Sequence, residues 1–197
     1  MPGNLDRWTS AVERHFGFLK AHGFTLGSAE EPTQWERAVL CKAPAVAVRV
    51  ARSVEFARAE VNLIRLVDDQ VPPYPIWITD DVVNWTLLDT VIEARRPDLM
   101  KQLPPGGLDE SELDRQLAAW AELLRLVAAD FLDGDAGAID DAAEVLRQRV
   151  QEHPQRVTVW VPREAEPSIA DDVRASVPSN VEVNVAGYSR WRRKRPR

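Results

Sequence analysis

Between Ser111 and Leu132, the residues Leu113, Leu117, Trp120, Leu124, Val127 and Phe131 recur at steps of four and three, which sets all six on one side of an α-helix. The neighbouring Ala118, Ala119, Ala121 and Leu123 are apolar as well, so the polar face narrows to little more than Glu122 and Arg125. A coiled coil would need a longer heptad run and charged flanks. A helix this apolar must instead sit in the middle of a fold, with other elements packed over it.

Those elements can be read around it. Leu5, Trp8, Val12, His15, Phe16 and Leu19 form a second helical stripe, stopped at Gly23. After a polar stretch around GSAEEPTQ, expected as a loop, the residues from Trp35 to Lys42 and the run AVAVRVARS read as strands turning at Pro44. Residues 54–67 fit both periods and are assigned to a strand, because two strands alone rarely make a stable sheet. A helix is expected to open at Thr79, Asp80 and Asp81 and to end before Pro97. The loop DGDAGA leads to a shorter helix, expected to be capped by Asp140 and to run to Glu152, and the C-terminal part reads VTVWV strand, PSIADDVRAS helix, VEVNV strand. Strands joined through a helix normally lie parallel, so this unit is expected to extend the first sheet or cover its edge. The fold class is therefore α+β: an N-terminal helix, a small antiparallel sheet, a central helical segment and a C-terminal strand-helix-strand. One globular domain over residues 1–187 is expected, followed by a basic tail over 188–197.

Composition narrows the function. With 45% hydrophobic and 28% charged residues, the 197-residue chain can bury a real core. Asp6, Arg7, Glu13 and Arg14 interrupt the first apolar positions, leaving no export or membrane-spanning segment, so no membrane partner and a cytoplasmic location are expected. The single Cys41 forms no internal disulfide. Six of the 25 basic residues lie in the last eight positions, so the rest of the chain carries 19 basic against 31 acidic residues. Such a body repels nucleic acid and attracts basic partners, while the tail can do the reverse.

No P-loop, G-x-G-x-x-G, G-x-S-x-G or H-E-x-x-H motif occurs, and no cofactor is expected. His15 and His22, seven residues apart on one helix, would lie roughly 10 Å apart along its axis, too far to share an ion. His15 on the apolar stripe reads as a core or boundary residue, and an enzyme using His15 or His153 with nearby carboxylates is the third reading of the chain. Four Asp-Asp pairs occur, at 68/69, 80/81, 140/141 and 171/172, and three fall near expected helix starts, where acids cap free backbone N–H groups. Asp133, Asp135, Asp141 and Glu144 take EF-hand positions one, three, nine and twelve, but Ala138 stands where the sharp turn needs Gly, so no metal site is assigned. VPPYP reads as a rigid connection rather than a docking ligand.

Seven Trp are a heavy load, most of them expected in the core; Trp77 and Trp191 lie in less regular surroundings and are the aromatic anchors expected at an interface. The segments FGFLKAHGF, NLIRLVDDQVP and LLRLVAADFLDGD give the chain a resemblance, over roughly residues 15 to 135, to small bacterial α+β proteins of the toxin-immunity type. The resemblance implies protein binding and brings no functional residue with it. The leading expectation is a non-catalytic immunity or adaptor module that offers an acidic surface, with Asp80, Asp81, Asp140 and Asp141 beside Trp77 and Trp191, to a basic protein. The alternative is a nucleic-acid-associated regulator using Arg190, Arg192, Arg193, Lys194, Arg195 and Arg197 with Trp191 stacking on a base. The sequence leaves the oligomeric state open.

Overall fold

The computed structural model describes residues 3–33, 36–53, 58–72, 83–105, 110–152, 156–161 and 182–187. Its contacts fall into two compact units, Met1–Pro75 with Val83–Val145, and Ile76–Val82 with Leu146–Arg197. The fold is α+β. No helix among the described residues is long and apolar enough to cross a membrane.

In the first unit, α1 (Gly3–Phe16) carries the expected stripe, with Trp8, Val12 and Phe16 buried. The chain then tightens into a 3₁₀ turn over Gly17–His22, which buries Leu19 and stops at Gly23 in the left-handed region, φ 81°. His15 and His22 are thus not on one α-helix, as the sequence suggested. The sheet is an antiparallel meander of β1 (Thr25–Thr33), β2 (Glu36–Lys42), β3 (Val46–Ser53), β4 (Arg58–Arg65) and β5 (Trp85–Leu87), in that spatial order. The assignment of a strand within 54–67 holds as β4. Its far end continues into Val67–Gln70, a tight reversal in which Asp68 and Asp69 both take positive φ, as a type I′ hairpin turn requires.

The expected loop around GSAEEPTQ is instead the edge strand β1. Gly27 explains how so polar a segment pairs. A Cβ there would come within 2.9 Å of the Leu40 carbonyl oxygen, and the register with β2 shifts between Leu26 and Ala29. The bulge leaves the Ala29 N–H to be taken by Thr9 Oγ1 of α1 at 3.2 Å. Pro32 is tolerated because an outer strand needs no donor on its open side.

The helix expected to open at Thr79–Asp81 begins later. Trp85, Thr86 and Leu87 pair with Ile64, Leu63 and Asn62, so these residues extend the sheet, and α2 covers only Leu88–Arg95. Trp85 packs with Ala47 and Ile64 on one sheet face and donates its indole N–H to Pro72 O at 2.9 Å. Residues 79–81 lie outside the described ones. The end before Pro97 is as expected.

The long apolar repeat forms α3 (Glu110–Val127) and a short α4 (Ala129–Leu132), separated by a break at Ala128. Leu113, Leu117, Trp120, Leu124, Val127 and Phe131 are all buried. α3 also closes an opening in the sheet. β5 flanks only the far half of β4, and at Ala59 the side chains of α3 take its place: Gln116 Oε1 accepts the Ala59 N–H at 2.8 Å, and Trp120 Nε1 donates to Ala59 O at 3.0 Å. After Gly134, again left-handed at φ 94°, α5 (Gly137–Glu152) buries Ala138, Ile139, Ala142 and Ala143. Its cap is not Asp140. The turn closes so tightly that Asp135 reaches the helix start and accepts the Gly137 N–H at 2.9 Å.

In the second unit, β6 (Arg156–Val161) and β7 (Glu182–Gly187) pair in parallel, Val157 with Val183 and Val159 with Val185, as a separate two-stranded sheet. The helix expected between them lies outside the described residues.

Candidate functional site

α5 buries Ala138, Ile139, Ala142 and Ala143, so Asp140, Asp141 and Glu144 come out on its opposite side, beside Asp133 and Asp135 of the preceding turn. All five are exposed. Two arginines approach this acidic strip from the body of the unit. Arg65, the last residue of β4, reaches Asp140 Oδ1 at 2.6 Å. Arg95, the last residue of α2, donates Nε to Asp141 at 2.7 Å, both terminal nitrogens to Asp130 at 2.6 and 2.7 Å, and Nη1 also to the Val127 carbonyl at 3.0 Å. Val127 O is the carbonyl that Phe131 would claim in an unbroken helix. One guanidinium therefore fills the gap between α3 and α4 and ties α2 to α5.

The electrostatics follow. The Arg95 bonds hold the Asp130 carboxyl below the usual carboxylate range, and Asp130 raises the guanidinium's own pKa further. Asp133 accepts from His22 Nδ1 at 3.2 Å when that nitrogen carries the proton. Of the residues expected at an interface, Asp140 and Asp141 thus belong to one acidic strip, anchored from behind. Trp77, Asp80, Asp81, Trp191 and the six basic tail residues lie outside the described residues, as does His153.

Other chemistry-bearing groups resolve into structural roles or separate places. His15 Nε2 lies 2.8 Å from Asp114 Oδ1, the same oxygen that takes Arg14 Nη1 at 2.8 Å, and these contacts, the histidine's first, lower the Asp114 pKa. Cys41 is fully buried, and burial pushes its thiol up to about 12, which makes it a poor nucleophile. Glu60 on β4 is pushed above the usual range by burial, among the ion pairs Arg49–Glu36 and Arg58–Asp89. The EF-hand positions do not form a loop, because α5 begins at Gly137, position five, so positions five to twelve are all helical. Among the described residues no three His, Cys, Asp or Glu side chains gather as a metal site would require.

Sequence reasoning picked out Asp140 and Asp141 but missed the arginines that hold them. Arg95 and Asp141 are 46 residues apart and Arg65 and Asp140 are 75 apart, beyond any local pattern. No family model matches the chain, and no curated protein or solved structure matches it.

Proposed function

We propose that the protein is a non-catalytic binding module of the immunity or adaptor kind, and that the acidic strip of the α4–α5 segment receives a basic protein partner. The observation that carries this reading is the arrangement of charge. Asp133, Asp135, Asp140, Asp141 and Glu144 face outward, while the counter-charges on Arg65 and Arg95 come from the interior side with side chains only 22% exposed. The field presented to an approaching surface is negative, and the arginines hold the carboxylates in place before binding, which limits the ordering cost. A cytoplasmic location goes with this reading, supported by the lone buried thiol.

The test is affinity capture with the full-length chain, run beside Asp133→Lys/Glu144→Lys. A basic protein held at low salt, released at roughly 0.5 M salt and weakened by about tenfold or more in the variant, is the expected result. A partner held equally by both would move the interface off this strip. Nucleic acid recovered in place of protein would favour the Arg-rich C-terminal end.

A further inference from the structure

Where α1 meets the sheet, the sign of the charge reverses. A cavity of about 520 Å³ lies where α1, the β2–β3 pair and the first turn of α3 meet, and its walls include Arg7, Trp8, Arg14, Arg37, Arg52 and Asp114. Four guanidinium groups thus surround one concavity in a chain of net charge −6. The carboxylate among these residues, Asp114, is already shared by Arg14 and His15 at 2.8 Å each.

Two further observations point to a ligand. Arg37 and Arg52 are direct cross-strand partners in the β2–β3 register, on the sheet face that carries Val39 and Val50. Two guanidinium groups directly opposite each other on one face concentrate positive potential at one spot, and an anion bound there is attracted by both. Trp8 is 4% exposed, and its indole N–H is buried with no acceptor among the described residues. A buried donor in the wall of a cationic cavity is matched by an oxyanion. Arg7, Arg37 and Arg52 also interact within the chain. Each guanidinium has five N–H groups, however, more than one carboxylate accepts.

We propose that this cavity binds a small ligand bearing phosphate groups, held by Arg37 and Arg52 with Arg7 and the Trp8 indole N–H. The volume suits a small molecule. A concave site on an acidic chain does not suit an extended polyanion, which a negative body repels along its length.

The first measurement is calorimetric titration of the full-length protein with pyrophosphate at low salt, paired with the Trp8 indole N–H signal in a ¹⁵N-resolved spectrum. Binding with a Kd below about 1 mM and a shift of that signal are expected. Arg37→Gln and Arg52→Gln should each weaken binding roughly tenfold or more, whereas Arg96→Gln, an exposed arginine paired with Asp98, should leave it unchanged. The Trp8 signal reads the parent protein and so decides the matter even if a variant misfolds. No heat and no shift at about 10 mM pyrophosphate would overturn the proposal, as would equal weakening by Arg96→Gln. An oligonucleotide that binds through Arg52 and is not displaced by pyrophosphate would overturn it in favour of a nucleic-acid surface.

Discussion

Arg95 shows how much a single side chain can organise here. It satisfies the open carbonyl of Val127, the Asp130 carboxylate and Asp141 at once, with its side chain 22% exposed. Arg95→Met keeps much of the bulk but leaves a partly buried carboxylate and a carbonyl without their donor, and is expected to cost about 1–3 kcal/mol in chemical denaturation. The pH dependence has a definite sign. Because Asp130 titrates lower when folded than when unfolded, its contribution is present above the unfolded value of about 3.9 and is lost as pH falls through the lower folded value. The stability of the parent should therefore fall more steeply than that of Arg95→Met between roughly pH 4 and pH 2. None of this was legible beforehand. The sequence shows Arg95 before Arg96 and Pro97, which announces a helix end, and says nothing of the carboxylates it meets.

At the scale of elements, legibility tracks how strongly one face is buried. α1 and α3 were readable because each buries a regular stripe against the sheet. β1 was not, since an outer strand with a bulge at Gly27 and a proline needs neither alternation nor β-propensity when α1 supplies the missing partner at Ala29. β5 was missed because three residues are too few for a period to appear. The reach of α3 over Ala59 gives an element-level prediction. Trp120→Phe preserves the apolar contact but removes the donor to Ala59 O, so it should destabilise by about 1–3 kcal/mol in denaturant unfolding. Hydrogen exchange at Ala59, whose N–H is held by Gln116, should quicken with it.

For the molecule as a whole, an acidic body and a basic tail are legible in the sequence, but not which of the charges share a face. Composition gives a net charge of −6 and a pI near 5.2, so light scattering against pH should show the lowest solubility near pH 5. The fold adds an arrangement to that number, an acidic strip at α4–α5 and an arginine-lined hollow under α1. The order of the five strands has a consequence of its own. They lie side by side in the sequence in which they occur, β1 to β5, so each newly made strand meets a neighbour already in place. Assembly then proceeds by short annealing steps, each closing a small loop, and only the joining of β4 to β5 must wait for a longer span of chain. During synthesis an unmated β-edge is open only until the next strand arrives, which shortens the interval in which two nascent chains can pair wrongly.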